Sequence, residues 1–180
     1  MTKNQIEEYE TTMPVQNSDI VNIFNKLADL LDIKGDNPFK IRAYRQAAFI
    51  LGGLSENVSD MIERGEDLTQ FSGIGKELSV KIHEIVHTGK LSKLEELENE
   101  IPEELLEMLK ISFLGPRKIS TLYKKLNIRN IDQLEKTAKA GKIRNLEGFG
   151  QKTEHNIIEE IKLWRERNKE KGKGKRIKRD

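Results

Sequence analysis

The residues of this chain best suited to chemistry are glycines and cations gathered in short turns, and the chemistry they suit is the binding of anions. Phe71-Ser72-Gly73-Ile74-Gly75-Lys76 stands directly ahead of an apolar periodicity that predicts a helix through Val86. A turn of this kind leaves backbone N–H groups bare at a helix N-terminus, where they and the helix dipole favour phosphate. The pattern recurs in Phe113-Leu114-Gly115-Pro116-Arg117-Lys118 and in Leu146-Glu147-Gly148-Phe149-Gly150-Gln151-Lys152. Counted from Gly73, Phe113 and Gly148, the turns are 40 and 35 residues apart. In each, the second glycine (Gly75, Gly115 or Gly150) lets backbone approach a phosphate with no Cβ in the way. Lys76, Arg117, Lys118 and Lys152 add charge beside them. The second turn departs from the pattern, since Phe113 carries a side chain where the others have glycine. Contacts to phosphate position a nucleic-acid backbone and carry no base information, so binding should be independent of sequence and sensitive to salt.

Other candidates are single residues. Lys40, Arg42 and Arg45 recur at near-helical spacing and read as a phosphate patch, with Tyr44 on the apolar side of the same segment. Lys81 has Glu77 four residues before it and Glu84 three after it, so both carboxylates can face its amine and favour the ammonium form. His83 and His87 have the i, i+4 spacing that suits zinc, but neither they nor His155 belongs to a larger ligand cluster, and no zinc site is expected. The charge is uneven: residues 162–180 hold ten Lys/Arg against three carboxylates, a local +7, which leaves −5 on the rest. The body is therefore not a generally basic binder. Local geometry must supply its phosphate contacts, with the tail as a sequence-blind aid. Seven carboxylates between residues 95 and 107, with no Lys or Arg among them, should face away from DNA. The chain has no cysteine, hence no disulfide, and no apolar run of membrane length.

Helices must position these residues. Alternation of the strand type is absent, and the chain reads as all-α, built as two small helical units. Residues 1–16 read as a flexible leader. Asn17-Ser18-Asp19 offers a cap to a helix carrying Ile20, Ile23, Phe24, Leu27, Leu30 and Leu31, and Lys34-Gly35-Asp36-Asn37-Pro38 is a turn. A second helix carries Phe39 to Leu51 and stops at Gly52-Gly53. A short helix over 58–64 precedes the first glycine turn, and Thr88-Gly89 closes the helix after it. Pro102 suits the first turn of a helix ending near Leu109. Asn130 suits the cap of a helix over 134–138 that Gly141 ends. The expected divisions are 1–16, 17–97, 98–164 and a basic tail at 165–180.

The three glycine turns look like helix-hairpin-helix motifs. Together with Asn37-Pro38-Phe39-Lys40-Ile41-Arg42-Ala43-Tyr44-Arg45 and Thr88-Gly89-Lys90-Leu91, they resemble the N-terminal part of a bacterial or archaeal family X DNA polymerase, a relative of DNA polymerase beta, over roughly residues 18–162. The resemblance implies a lyase-type helical domain followed by a domain that grips duplex DNA behind the primer end, in gap-filling repair. It places a Schiff-base lysine at Lys81, with Tyr44 and Lys93 in the same site, Lys40 and Arg45 near a 5′ phosphate, and Phe39 against a base. It also implies a monovalent cation, Na+ or K+, held by backbone carbonyls of Thr69, Phe71 and Ile74, with no other cofactor required. The palm and its metal-binding aspartates would follow this region, so no nucleotidyl transfer is expected from the chain alone. It reads either as a stand-alone relative or as part of a longer polymerase. Three functions follow as expectations: sequence-independent binding of gapped or nicked DNA in repair, deoxyribose-phosphate lyase chemistry at Lys81, and a protein-interaction module docking through the acidic helix. The expected partners are DNA, a polymerase palm or other repair proteins, with no membrane. The expected location is the cytoplasm, at the nucleoid.

Overall fold

A computed structural model describes residues 14–177, with side chains through Gly172. Most of the expected leader, residues 1–13, lies outside the described residues. Among the described residues there are nine α-helices, two 3-10 turns and no strand, and no helix is long and apolar enough to cross a membrane. The all-α reading holds.

The backbone clusters into two compact units. One holds residues up to Leu31 together with Asp36–Leu97, and the other holds Asp32–Gly35 together with Glu98 onward. The first unit is built on α1 (Asn17–Lys34), α2 (Pro38–Gly53), α3 (Val58–Glu63), a 3-10 turn (Leu68–Gln70), α4 (Lys76–Thr88) and most of α5 (Ser92–Glu100). Its α1 stripe of Ile20, Phe24, Leu27, Leu30 and Leu31 is fully buried, as are Leu51, Leu68, Ile82 and Ile85 of the same unit. One face of α1, at three- to four-residue spacing, is thus withdrawn from water, and the burial of each such side chain stabilises by roughly 1.5–3 kcal/mol.

Of the Asn17-Ser18-Asp19 segment expected to cap α1, only Asp19 serves its start. The cap falls one residue earlier, at Gln16, whose N–H donates to Asp19 Oδ2 at 2.9 Å. Asn17 instead serves the other helix start. Its Oδ1 accepts from Val58 N–H at 2.9 Å, while Asn57 Oδ1 accepts from Asn17 N–H at 3.2 Å. The two asparagines cap each other's helices, 40 residues apart in sequence. At α2 the stretch read as a turn also starts the helix: Asn37 Oδ1 accepts from Phe39 N–H, and Pro38 opens the helix.

The second unit holds α6 (Glu103–Glu107), a 3-10 turn (Met108–Lys110), α7 (Pro116–Leu126), α8 (Ile131–Lys139) and α9 (Gln151–Ile177). Leu105, Met108, Ile119, Leu122, Leu134, Ile157 and Ile161 form its core. Asn130 caps α8 by accepting from Gln133 N–H at 2.9 Å. Arg165 on α9 bonds Asp132 Oδ1 at 2.5 Å and Glu135 Oε2 at 3.3 Å, tying α9 to α8. The α9 backbone stays helical through Ile177, so the basic stretch extends the last helix as far as the described residues go.

Candidate nucleic-acid interface

The three glycine turns are one conformation used three times. In the first, Phe71 N–H donates to Leu68 O at 3.2 Å and Ile74 N–H to Phe71 O at 3.0 Å. In the second, Ile111 donates to Met108 O at 3.1 Å and Leu114 to Ile111 O at 3.2 Å. In the third, Leu146 donates to Ile143 O and Phe149 to Leu146 O, both at 3.0 Å. The residue before the last of these donors lies in the left-handed region each time, with φ of 97° at Gly73, 70° at Phe113 and 80° at Gly148. A helix then begins: Ser79 donates to Gly75 O, Ile119 to Gly115 O and Glu154 to Gly150 O, at 2.9, 3.1 and 2.9 Å. The sequence marks the second turn as the departure. Its backbone does not depart, and Phe113 takes a conformation that costs an L residue roughly 1–2 kcal/mol.

The two glycines of a turn have different reasons to be glycine. The φ of Gly73 favours glycine, and a Cβ there would lie 2.6 Å from Ile50 Cδ1 of α2, so that methyl would also have to shift. Gly75 and Gly115 have ordinary extended backbone, with φ of −84° and −91°, and no side chain caps the helix that follows either of them. At Gly75, Gly115 and Gly150 nothing lies within 4 Å of where a Cβ would stand. Neither conformation nor packing of this fold requires glycine at these three helix starts. What glycine leaves there is open backbone beside unpaired N–H groups, which is what an approaching phosphate needs.

Cations surround the turns unevenly. Lys76 and Lys152 are exposed. Lys118 Nζ lies 3.3 Å from Phe113 O and 5.8 Å from the centroid of the Phe149 ring, so it spans the second and third turns. Arg117 is 81 % exposed, with Nε 3.6 Å from Asp32. The third turn carries a residue that sequence reasoning missed. Glu154 is buried and accepts from Ile143 N–H at 3.0 Å, Arg144 N–H at 2.8 Å and Arg144 Nε at 2.9 Å. Burial pushes its carboxyl up, but the Arg144 guanidinium and the two backbone N–H groups outweigh that and hold it below the usual range. The available signal was a carboxylate in the first turn of a helix. An open groove of about 540 Å³ beside this turn is lined by Lys139, Arg144, Lys152 and His155 among others.

In the first unit, Phe39 is exposed on α2 with the Arg42 guanidinium 5.7 Å from its ring centroid. Lys40 is half-buried. Arg45 is drawn to Asp29, 2.7 Å away, which leaves it less available than its spacing predicts. Tyr44 is buried edge-on to Phe24, with centroids 5.5 Å apart. Burial pushes its phenol up, and the positive charge of Lys81 works against that. Lys81 Nζ also lies 3.4 Å from Glu77 Oε1. Glu84 was expected beside the same amine, but its carboxylate accepts from Ser92 N–H at 2.8 Å and from the Ser92 hydroxyl. Those bonds hold the Glu84 carboxyl below the usual range, with Lys81 a lesser influence. Lys93 pairs with Glu96 at 3.4 Å. Thr69, Phe71 and Ile74 belong to the first turn, where Phe71 O already accepts one hydrogen bond. His87 Nδ1 lies 2.6 Å from His83 O, turned onto its own helix.

Comparison with known proteins defines the class and then the lineage. Residues 15–91 match a helix-hairpin-helix domain and residues 105–163 match a SAM-like helix-hairpin-helix tandem. Both units thus belong to the helix-hairpin-helix class of DNA-binding module. The chain is 38 % identical over 143 residues to the DNA polymerase/3′-5′ exonuclease PolX of Bacillus subtilis (strain 168), covering 79 % of this chain and 24 % of that protein. It is 31 % identical over 134 residues to DNA polymerase lambda of Arabidopsis thaliana, covering 71 % of this chain and 24 % of that protein. In sequence, the chain corresponds to the N-terminal helix-hairpin-helix region of a family X DNA polymerase. It spans about a quarter of the length of the curated relatives it matches.

Proposed function

We propose that this chain clamps the sugar–phosphate backbone of gapped or nicked duplex DNA, without reading sequence, in DNA repair at the nucleoid. The observation that carries this reading is the threefold turn whose second glycine the fold itself does not require. Each turn offers N–H groups to one phosphate, and the contacts position the duplex. Lys76, Lys118 and Lys152 assist directly, with Lys40 and Phe39 of α2 meeting the 5′ side of a break. Arg45 joins them only by exchanging Asp29 for a phosphate. A Na+ or K+ ion at the first turn suits the carbonyl oxygens of Thr69, Phe71 and Ile74, since carbonyls can replace the hydration shell of such an ion. The test is a titration of gapped, nicked and intact duplex at two salt concentrations. Tighter binding to the interrupted duplexes, weakening with salt, supports the reading. Equal affinity for all three removes the repair preference, and no binding at low salt removes the clamp.

A second reading is favoured by one observation: Lys81 Nζ lies 3.4 Å from Glu77, and its charge acts on the buried Tyr44 phenol. Deoxyribose-phosphate lyase chemistry requires that amine to be neutral when it adds to the sugar aldehyde to form a Schiff base, after which elimination releases the phosphate. Glu77 already holds that amine in an ion pair, so the substrate must displace it. Borohydride trapping on incised abasic DNA decides the matter. An adduct lost in Lys81→Ala supports the lyase, whereas no adduct, or one that survives the substitution, removes it.

A further inference from the structure

Phe113 is the one large side chain at the left-handed position of the three turns, where the other two use glycine. It keeps φ at 70° at a cost in strain, yet the residue is 55 % exposed and lies outside the buried core. Strain held at an exposed aromatic residue is not explained by folding, and such outliers gather at functional sites. Its surroundings are those of a nucleic-acid contact. Lys118 Nζ sits against Phe113 O and over the Phe149 ring, which places a cation between the two aromatic residues, and Arg117 stands exposed in the first turn of the same helix. The phosphate cradle at Gly115 is two residues away along the chain, a span of at most about 7 Å. Successive nucleotides of one strand rise about 3.4 Å. A ring at Phe113 therefore reaches a base or sugar within about two nucleotides of the phosphate held at Gly115.

We infer that Phe113 is a stacking residue for the base face laid open at a strand break, and so sets the preference of the second hairpin for interrupted over intact duplex. The inference rests on the backbone-clamp reading. In intact duplex every base face is covered by its neighbour, and inserting a ring must first unstack a step. At a gap or nick a face is free, and stacking is gained without that cost. The ring carries no hydrogen-bonding edge, so the preference is for the structure of the DNA and not for its sequence.

The experiment compares the full chain with Phe113→Gly and Phe113→Tyr on one-nucleotide-gapped and intact duplexes of the same sequence. Phe113→Gly removes the strain, so it should melt higher than the wild type while binding gapped DNA roughly 5- to 150-fold more weakly. Its affinity for intact duplex should change little. Phe113→Tyr should keep the gapped-DNA affinity. Unchanged binding of gapped DNA by Phe113→Gly, or an equal loss on both duplexes, overturns the inference and leaves the clamp standing. If the wild-type chain binds neither DNA at low salt, the clamp reading fails, and the inference falls with it.

Discussion

Gly75→Ser separates what the first turn does for the fold from what it does for a ligand. Gly75 is the cap of α4, in extended backbone with no side-chain cap bond and nothing within 4 Å of a Cβ. Serine fits that conformation, and its hydroxyl can accept from the N–H groups of Glu77 or Leu78. The fold should therefore gain a few tenths of a kcal/mol, which for a chain of this length raises Tm by about 1 °C. The same hydroxyl occupies the donors a phosphate would use, and the Cβ stands in its approach. Losing one charge-assisted contact costs roughly 1.5–3 kcal/mol, or about 10- to 150-fold in Kd. No cation is removed, so the slope of log Kd against log salt should stay as in the wild type. Thermal melting by circular dichroism gives the first quantity, and anisotropy of a labelled gapped duplex at several salt concentrations gives the others. Wild-type affinity in Gly75→Ser refutes the cradle. A loss of stability above about 1 kcal/mol refutes the claim that the fold does not need this glycine.

Lys152→Ala is the converse perturbation: it removes an exposed cation, so binding should weaken and the salt slope should fall by about one, and an unchanged slope places Lys152 off the phosphate path. Gly73→Ala and Gly148→Ala share a left-handed φ, but only Gly73 has Ile50 in the way. Urea titration should show a loss of roughly 1–2 kcal/mol at Gly148 and a larger one at Gly73, and equal losses would mean that Ile50 yields freely. Glu154 is held below its ordinary value near 4.5, so the stability it adds is whole above that value and drains as pH falls through the lower folded-state pKa. Glu154→Gln should cost roughly 1–3 kcal/mol at pH 7 and flatten the acid limb of stability against pH, and an acid limb as steep as the wild type's would exclude this carboxylate as its source.

Features written within a few residues were legible. Gly73, Gly89, Gly141 and Gly148 have the positive φ that their place at turns and helix ends predicts. Asn37 and Asn130 cap the helices that follow them. Features that close across distance were not legible. Asn17-Ser18-Asp19 reads as the cap of one helix, and Asp19 does serve it, but Asn17 serves Val58, because that choice depends on a partner 41 residues on that only packing brings near. Glu84 reads as a neighbour of Lys81 on a helical wheel, yet Ser92, beyond the helix end, takes its carboxylate. Arg45 belongs to a cationic stripe in sequence and to Asp29 in space. Glu154 gave almost no signal, since burial and three donors are properties of the folded turn.

By itself, the sequence determined the all-α class, the three helix-hairpin-helix turns and the polymerase lineage they carry. Those depend on backbone preferences of glycine, proline and capping residues, and on apolar spacing, all of which act over one or two helical turns. Tertiary structure alone decided which glycines the fold requires and which it leaves open, that Phe113 holds the glycine conformation, and which charges are already spent on partners. A steric approach or an ion pair is set by atoms distant in the chain, and it exists only once the helices have packed.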